Sequence, residues 1–166
     1  PDGPPGYLAG MGEIEFEPGT YIIRDGGLNI LGNSFVSGRD VGFFFSGDNT
    51  GMLISEYAEV DFEAPRETAM AGFLFFEDRS VPAGAVYSIE SINSRRLVGT
   101  VYLSRGTFQV ETDGDVSDES EFTVVVANRI ELRDSPELHL NSDYDRSSVP
   151  TPDGVGLVEG GPRLLN

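Results

Sequence analysis

Five short runs rich in aromatic and β-branched residues recur at long, nearly regular intervals, and this spacing constrains the fold more than anything else in the chain. The runs are Tyr21-Ile22-Ile23, Phe43-Phe44-Phe45, Phe73-Leu74-Phe75-Phe76, Val101-Tyr102-Leu103 and Val124-Val125-Val126. Gly19, Gly42, Gly72 and Gly99 stand just before the first four, and Glu121 holds the equivalent place before the fifth, at intervals of 23, 30, 27 and 22 residues. Self-similarity at periods of 20 to 50 residues is the signature of solenoids.

A second strand repeats at fixed offset from these markers. Leu28 and Ile30 follow Gly19 by nine and eleven residues, as Phe108 and Val110 follow Gly99 and Ile130 and Leu132 follow Glu121; Met52 and Ile54 come one step late after Gly42. A third apolar position follows at Val36, Val60, Val116 and Leu138. Alternation in Leu28-Asn29-Ile30 and Phe108-Gln109-Val110 sets apolar residues on one face and amides on the other, as in strands with one buried side. The spacing therefore predicts an all-β chain: a short right-handed parallel β-helix of about five turns with three strands per turn. A sandwich would give turn signals every 8–12 residues without the longer repeat. The interval after Gly72 breaks the order across residues 79–97, which read as an irregular insertion. With 21 glycines and 10 prolines, no long stretch keeps a 3.6-residue apolar period.

The organisation that follows is an N-terminal tail with a capping strand at 1–17, the β-helix at 18–141, and a polar linker with a C-terminal segment at 142–166. In the first part, Glu13-Ile14-Glu15-Phe16-Glu17 reads as a charged strand covering one end, where an open edge invites pairing with other chains. In the last, residues 142–154 read as a proline-punctuated loop, Val155-Gly156-Leu157-Val158 as a returning strand, and residues 162–166 as a tail.

Charge restricts the partners. Of 166 residues 28 are acidic and 11 basic, every one of the latter arginine, giving a net charge of −17. Such a field repels phosphate backbones and anionic lipid surfaces, so nucleic acid is not an expected partner. There is no cysteine and hence no disulfide framework or thiolate site. No apolar run approaches the roughly 18 residues of a membrane span. The chain opens Pro1-Asp2-Gly3-Pro4-Pro5-Gly6 without an initiator Met, as expected of a piece of a longer protein whose anchor or secretion signal lies upstream.

The segments Pro18-Gly19-Thr20-Tyr21-Ile22-Ile23, Gly26-Gly27-Leu28-Asn29-Ile30, Val41 to Asn49, Ala71 to Asp78, Leu97 to Leu103 and Val125 to Ile130 together resemble, in order and spacing, the C-terminal region of TadG-type proteins of tight-adherence (Flp) pilus assembly. The resemblance covers roughly residues 18–141. It implies an extracytoplasmic module, at the periplasm or cell surface, anchored by a missing N-terminal transmembrane segment. It implies no catalytic residue and no cofactor, with pilus or envelope proteins as partners and surface polysaccharide as a further candidate. Relatives in that family often carry cysteines here; this chain has none, so no disulfide is carried over.

Because parallel β-helices also host polysaccharide-cleaving enzymes, carboxylate pairs need weighing. Asp113, Asp115, Asp118, Glu119 and Glu121 form the densest group, but Thr112-Asp113-Gly114-Asp115 sits at a turn, where acidic residues are normally solvated surface. Arg95 and Arg96 are adjacent and should face opposite ways in a strand. For calcium the candidates are Asp113 and Asp115 together with Asp143 and Asp145, without an EF-hand or nonapeptide motif around them. His139, the single histidine, is flanked by Leu138 and Leu140 and should point outward; one histidine without cysteine does not supply a zinc site of the usual composition. No metal is therefore expected. The runs at 43–45 and 73–76 must each turn an aromatic ring outward unless residues 79–97 cover it. The reading is a non-catalytic structural or adhesive module, with a carbohydrate-active or carbohydrate-binding β-helix as the alternative and a bactofilin-like self-assembling scaffold as the third.

Overall fold

The computed structural model describes residues 7–9, 12–153 and 155. Fourteen strands run in chain order: β1 (Tyr7–Ala9), β2 (Glu13–Phe16), β3 (Gly19–Arg24), β4 (Gly27–Leu31), β5 (Phe35–Gly38), β6 (Val41–Ser46), β7 (Gly51–Ile54), β8 (Glu59–Glu63), β9 (Phe73–Glu77), β10 (Val86–Ile89), β11 (Asn93–Glu111), β12 (Asp115–Val116), β13 (Thr123–Arg133) and β14 (Glu137–Leu138). Every ladder between them is parallel. The chain is a parallel β-helix of about five turns.

Three faces result. The first stacks β3, β6, β9, residues 99–103 of β11 and residues 123–127 of β13. The second stacks β1, β4, β7, β10, residues 107–111 and residues 129–133. The third stacks β2, β5, β8 and residues 93–98, then β12 and β14. Backbone bonds from Ser117 N to Ser94 O (3.0 Å) and from Glu119 N to Arg95 O (2.9 Å) join the two halves of that last face.

The expected offsets are the observed registers. Leu28, Met52, Tyr87 and Phe108 stack in one buried column of the second face, and Ile30, Ile54, Ile89 and Val110 in the next. Val36 pairs with Val60, and Val116 with Leu138. Apolar area removed from water in these columns, at about 25 cal/mol per Å², is the main stabilising contribution.

The third turn is more regular than the sequence suggests. Its main irregularity is residues 78–85, a detour between β9 and β10, after which Tyr87 and Ile89 rejoin the columns; a register shift between Asn93 and Arg96 is the other. A second detour, residues 64–72 between β8 and β9, lengthens the interval before it.

At the N-terminal end, β2 lies on β5 with Glu13 and Glu15 exposed and Ile14 and Phe16 half-buried, the charged terminal rung anticipated there. At the other end, Ile130 and Leu132 continue the buried columns of Phe108 and Val110 yet are 45% and 54% exposed, because no described strand stacks beyond them. Residues 142–153 fold back onto the body. Tyr144 packs on Phe122 at 5.3 Å between ring centroids, and Val149 is buried in the core. Gly72, at φ 78°, has the Pro150 carbonyl and the Pro152 ring where a Cβ would project, so only glycine lets this segment dock. The strand expected at 155–158 lies outside the described residues apart from Val155.

Candidate functional site

The outer surface carries four constellations, each produced by stacking. On the first face, Ile22, Phe44, Phe76, Tyr102 and Val126 occupy one outward column through successive registers. Phe44 and Phe76 stack at 5.6 Å with planes 10° apart, and Phe76 and Tyr102 at 5.1 Å and 16°. Phe73 sets its edge against Phe76, 5.1 Å away. Rungs about 4.8 Å apart make this stripe roughly 19 Å long. Residues 86–89 and 93–97 do not cover it, because β10 and the start of β11 take their places in the other ladders. Stacking directs the ring faces along the solenoid axis, against each other, so solvent meets ring edges. A sugar ring binds to aromatic faces; a protein side-chain surface packs against edges and methyl groups alike.

The third face carries an ion lattice. Asp61 accepts hydrogen bonds from Arg39 (2.7 Å) and Arg96 (3.1 Å). Arg96 also reaches Glu63 (2.9 Å) and Glu121 (3.2 Å), and Arg66 bridges Glu63 (3.0 Å) to Asp40 (3.3 Å). Burial pushes the Asp61 carboxyl up, but the two arginines outweigh it and hold the carboxyl below the ordinary aspartate value. Arg95 and Arg96 do not face opposite ways as strand alternation required. A register shift between Asn93 and Arg96 places both outside between buried Ser94 and Leu97, with Arg95 paired to Asp118 and Glu119.

The dense acidic group is thereby divided. Asp118 and Glu119 belong to Arg95 and Glu121 to Arg96, while Asp113 enters a groove at the corner of the second and third faces, lined also by Glu56, Glu90, Ile92, Glu111, Thr112 and Asp134. Burial, with Glu111 and Glu56 nearby, raises the Glu90 pKa above the ordinary glutamate value. Asp143 pairs with Arg146 at 3.6 Å, and Asp145 is exposed in the short 3-10 turn.

Asp115 alone among the four calcium candidates joins a group of three potential ligands among the described residues, with Glu137 and His139. His139 Nε2 lies 3.0 Å from Asp115 Oδ1 and 4.0 Å from Glu137 Oε2. Reading outward positions at a 22-residue turn length would have brought Asp115 beside Glu137; single-strand spacing around His139 could not.

Compared with protein-family models, curated proteins and solved structures, the chain has no match. What its coordinates define is a class, a short acidic parallel β-solenoid whose outer side chains tie one turn to the next. No helix among the described residues is long and apolar enough to cross a membrane.

Proposed function

We propose that the chain is a non-catalytic structural or adhesive module working outside the cytoplasm, a rigid surface held away from the membrane in tight-adherence pilus assembly. The observation that carries this reading is the first-face stripe from Ile22 to Val126, five apolar rungs in register across the solenoid. An ordered apolar stripe on a rigid support suits recognition of a protein surface, and edge-on rings suit it better than a saccharide. The TadG-type resemblance supplies the setting, with pilus or envelope proteins as partners and an upstream segment as anchor.

The test is piliation and surface attachment by cells whose full-length protein carries Phe44→Ser and Phe76→Ser. Loss of attachment with unchanged protein abundance supports the reading; attachment at the unaltered level refutes it. The carbohydrate-active alternative rests on the corner groove, where Glu90 holds its proton more tightly than an ordinary glutamate beside Glu111. Release of reducing sugars or unsaturated products from acidic polysaccharides would select it. The self-assembly alternative rests on exposed Ile130 and Leu132 at an open end, and concentration-dependent light scattering would select that one.

A further inference from the structure

We propose that Asp115, Glu137 and His139 bind a divalent transition ion of the zinc type, which clamps the last turn of the solenoid to the turn beneath it. The three side chains share the outer surface of the third face. Asp115 and Glu137 are direct register partners in the β12–β14 ladder, and their neighbours Val116 and Leu138 turn the other way, Val116 being fully buried. His139 lies two residues after Glu137, on the same side. Backbone bonds fix the frame: His139 N donates to Val116 O at 2.9 Å and Glu137 N to Gly114 O at 3.2 Å. One donor atom from each residue falls within 4.8 Å of the others, with the imidazole nitrogen 3.0 and 4.0 Å from the two carboxylates. A tetrahedral ion with ligands at about 2.1 Å sets its donors roughly 3.4 Å apart, so small side-chain rotations close the site.

The donor chemistry selects the ion. One imidazole nitrogen and two carboxylate oxygens, with a position left open to solvent, suit zinc and its neighbours; calcium requires six to eight oxygens. A second, independent feature is electrostatic. Like charges directly opposite on neighbouring strands repel. Elsewhere on this face the acids meet arginines, Asp61 contacting Arg39 and its register partner Arg96, and Glu63 contacting Arg66 and Arg96. Here two acids stand in register, and the nearby Arg95 is engaged by Asp118 and Glu119. A single imidazolium neutralises at most one of the two charges; a divalent ion neutralises both. The location gives the ion leverage, because β14 is two residues long and sits at the end where Ile130 and Leu132 are exposed.

The single histidine makes the test direct. The full 166-residue chain, stripped of metal with a chelator, is titrated with zinc while the His139 ring resonances and the thermal midpoint are followed. Expected are a saturable one-to-one change in those resonances, a higher midpoint, and no such response to calcium. His139→Ala, Asp115→Asn and Glu137→Gln should each weaken zinc binding by about tenfold or more, given that even residues supporting a ligand cost that much. All three sites are surface positions, and circular dichroism checks that each variant keeps its strands. Ring resonances unmoved by zinc would overturn the proposal and leave a simple ion pair between His139 and Asp115. Binding as tight in His139→Ala as in the unaltered chain would also overturn it, assigning the ion to the Glu56–Glu90 groove.

Discussion

Glu77 offers the sharpest test of how adjacent turns are joined. It ends β9 at a position whose register partner is Phe45, and it is fully buried. One carboxylate oxygen accepts from the Tyr87 hydroxyl at 3.1 Å, and the other from the backbone N–H groups of Arg105 (2.7 Å) and Gly106 (3.1 Å), where β11 bends from the first face to the second. Gly106 has no room for a side chain, since a Cβ would meet the Tyr87 ring and Glu77 itself. Glu77→Ala removes the acceptor and strands two backbone donors and a hydroxyl away from water. With each unpaired buried donor costing about 1 to 3 kcal/mol, a loss of about 4 kcal/mol is expected. In Glu77→Gln the amide oxygen still takes both backbone bonds and the NH₂ donates to the tyrosine oxygen. That variant loses charge assistance and the acceptor of the Tyr87 hydroxyl but keeps both backbone bonds, a smaller loss of about 2 kcal/mol. Urea unfolding of the three proteins, compared at equal m-value, measures the difference. Stability of Glu77→Ala within about 1 kcal/mol of the parent would refute the reasoning, and so would equal losses in the two variants, which would make the charge rather than the acceptor geometry decisive.

Three further outcomes are expected. Asp61→Asn should flatten acid unfolding: the depressed Asp61 pKa contributes stability that is present above the ordinary aspartate value of about 4 and lost as pH falls through the folded value, so the parent and variant curves should converge at low pH in a denaturation series. Glu90→Gln should do the reverse. A raised pKa leaves the parent at a disadvantage once pH exceeds the folded value, so the variant should have the higher thermal midpoint at pH 7, and the gap should close near pH 4. Phe76→Ala, which removes the middle ring of the outward stack, should cost about 2 kcal/mol in urea unfolding, whereas Ile22→Ala at the end of the stripe, with Ile22 68% exposed, should cost less than about 1 kcal/mol.

The solenoid was legible because burial in stacked turns repeats the same demand at the same place. Leu28 and Ile30, Met52 and Ile54, Phe108 and Val110 meet identical surroundings, and their spacing repeats accordingly. Tyr87 and Ile89 meet them too, but the detour at 78–85 displaces them in sequence, and nothing local distinguishes a longer corner from a broken turn. Arg95 and Arg96 misled for a similar reason, since a bulge changes facing without a residue type that announces it. The outer contacts were hidden by distance along the chain: Arg39 meets Asp61 22 residues away, and Arg96 meets the same carboxylate from 35. Glu77 did leave a trace, as an acid where the pattern of Phe45 calls for an apolar residue.

Coupling in such an array runs mainly between neighbouring turns, so the effect of any contact depends on where along the stack it lies. Interior turns are held from both sides, by buried columns within and by the ring stack and ion lattice without. Among the described residues the last turn has a ladder on one side only, through β12–β14 and residues 123–133 of β13, with the docked segment 142–153 against Phe122 and Ile130 and Leu132 still facing water. A terminal turn opens more readily than an interior one, so a ligand bound there shifts the opening equilibrium more than the same ligand bound mid-stack. The apolar stripe has the opposite requirement, since a partner that reads five rungs needs all five in register. A clamp at Asp115, Glu137 and His139 would serve that requirement from a distance, by keeping Val126 in line with Tyr102 at the end of the stripe where register is least secure.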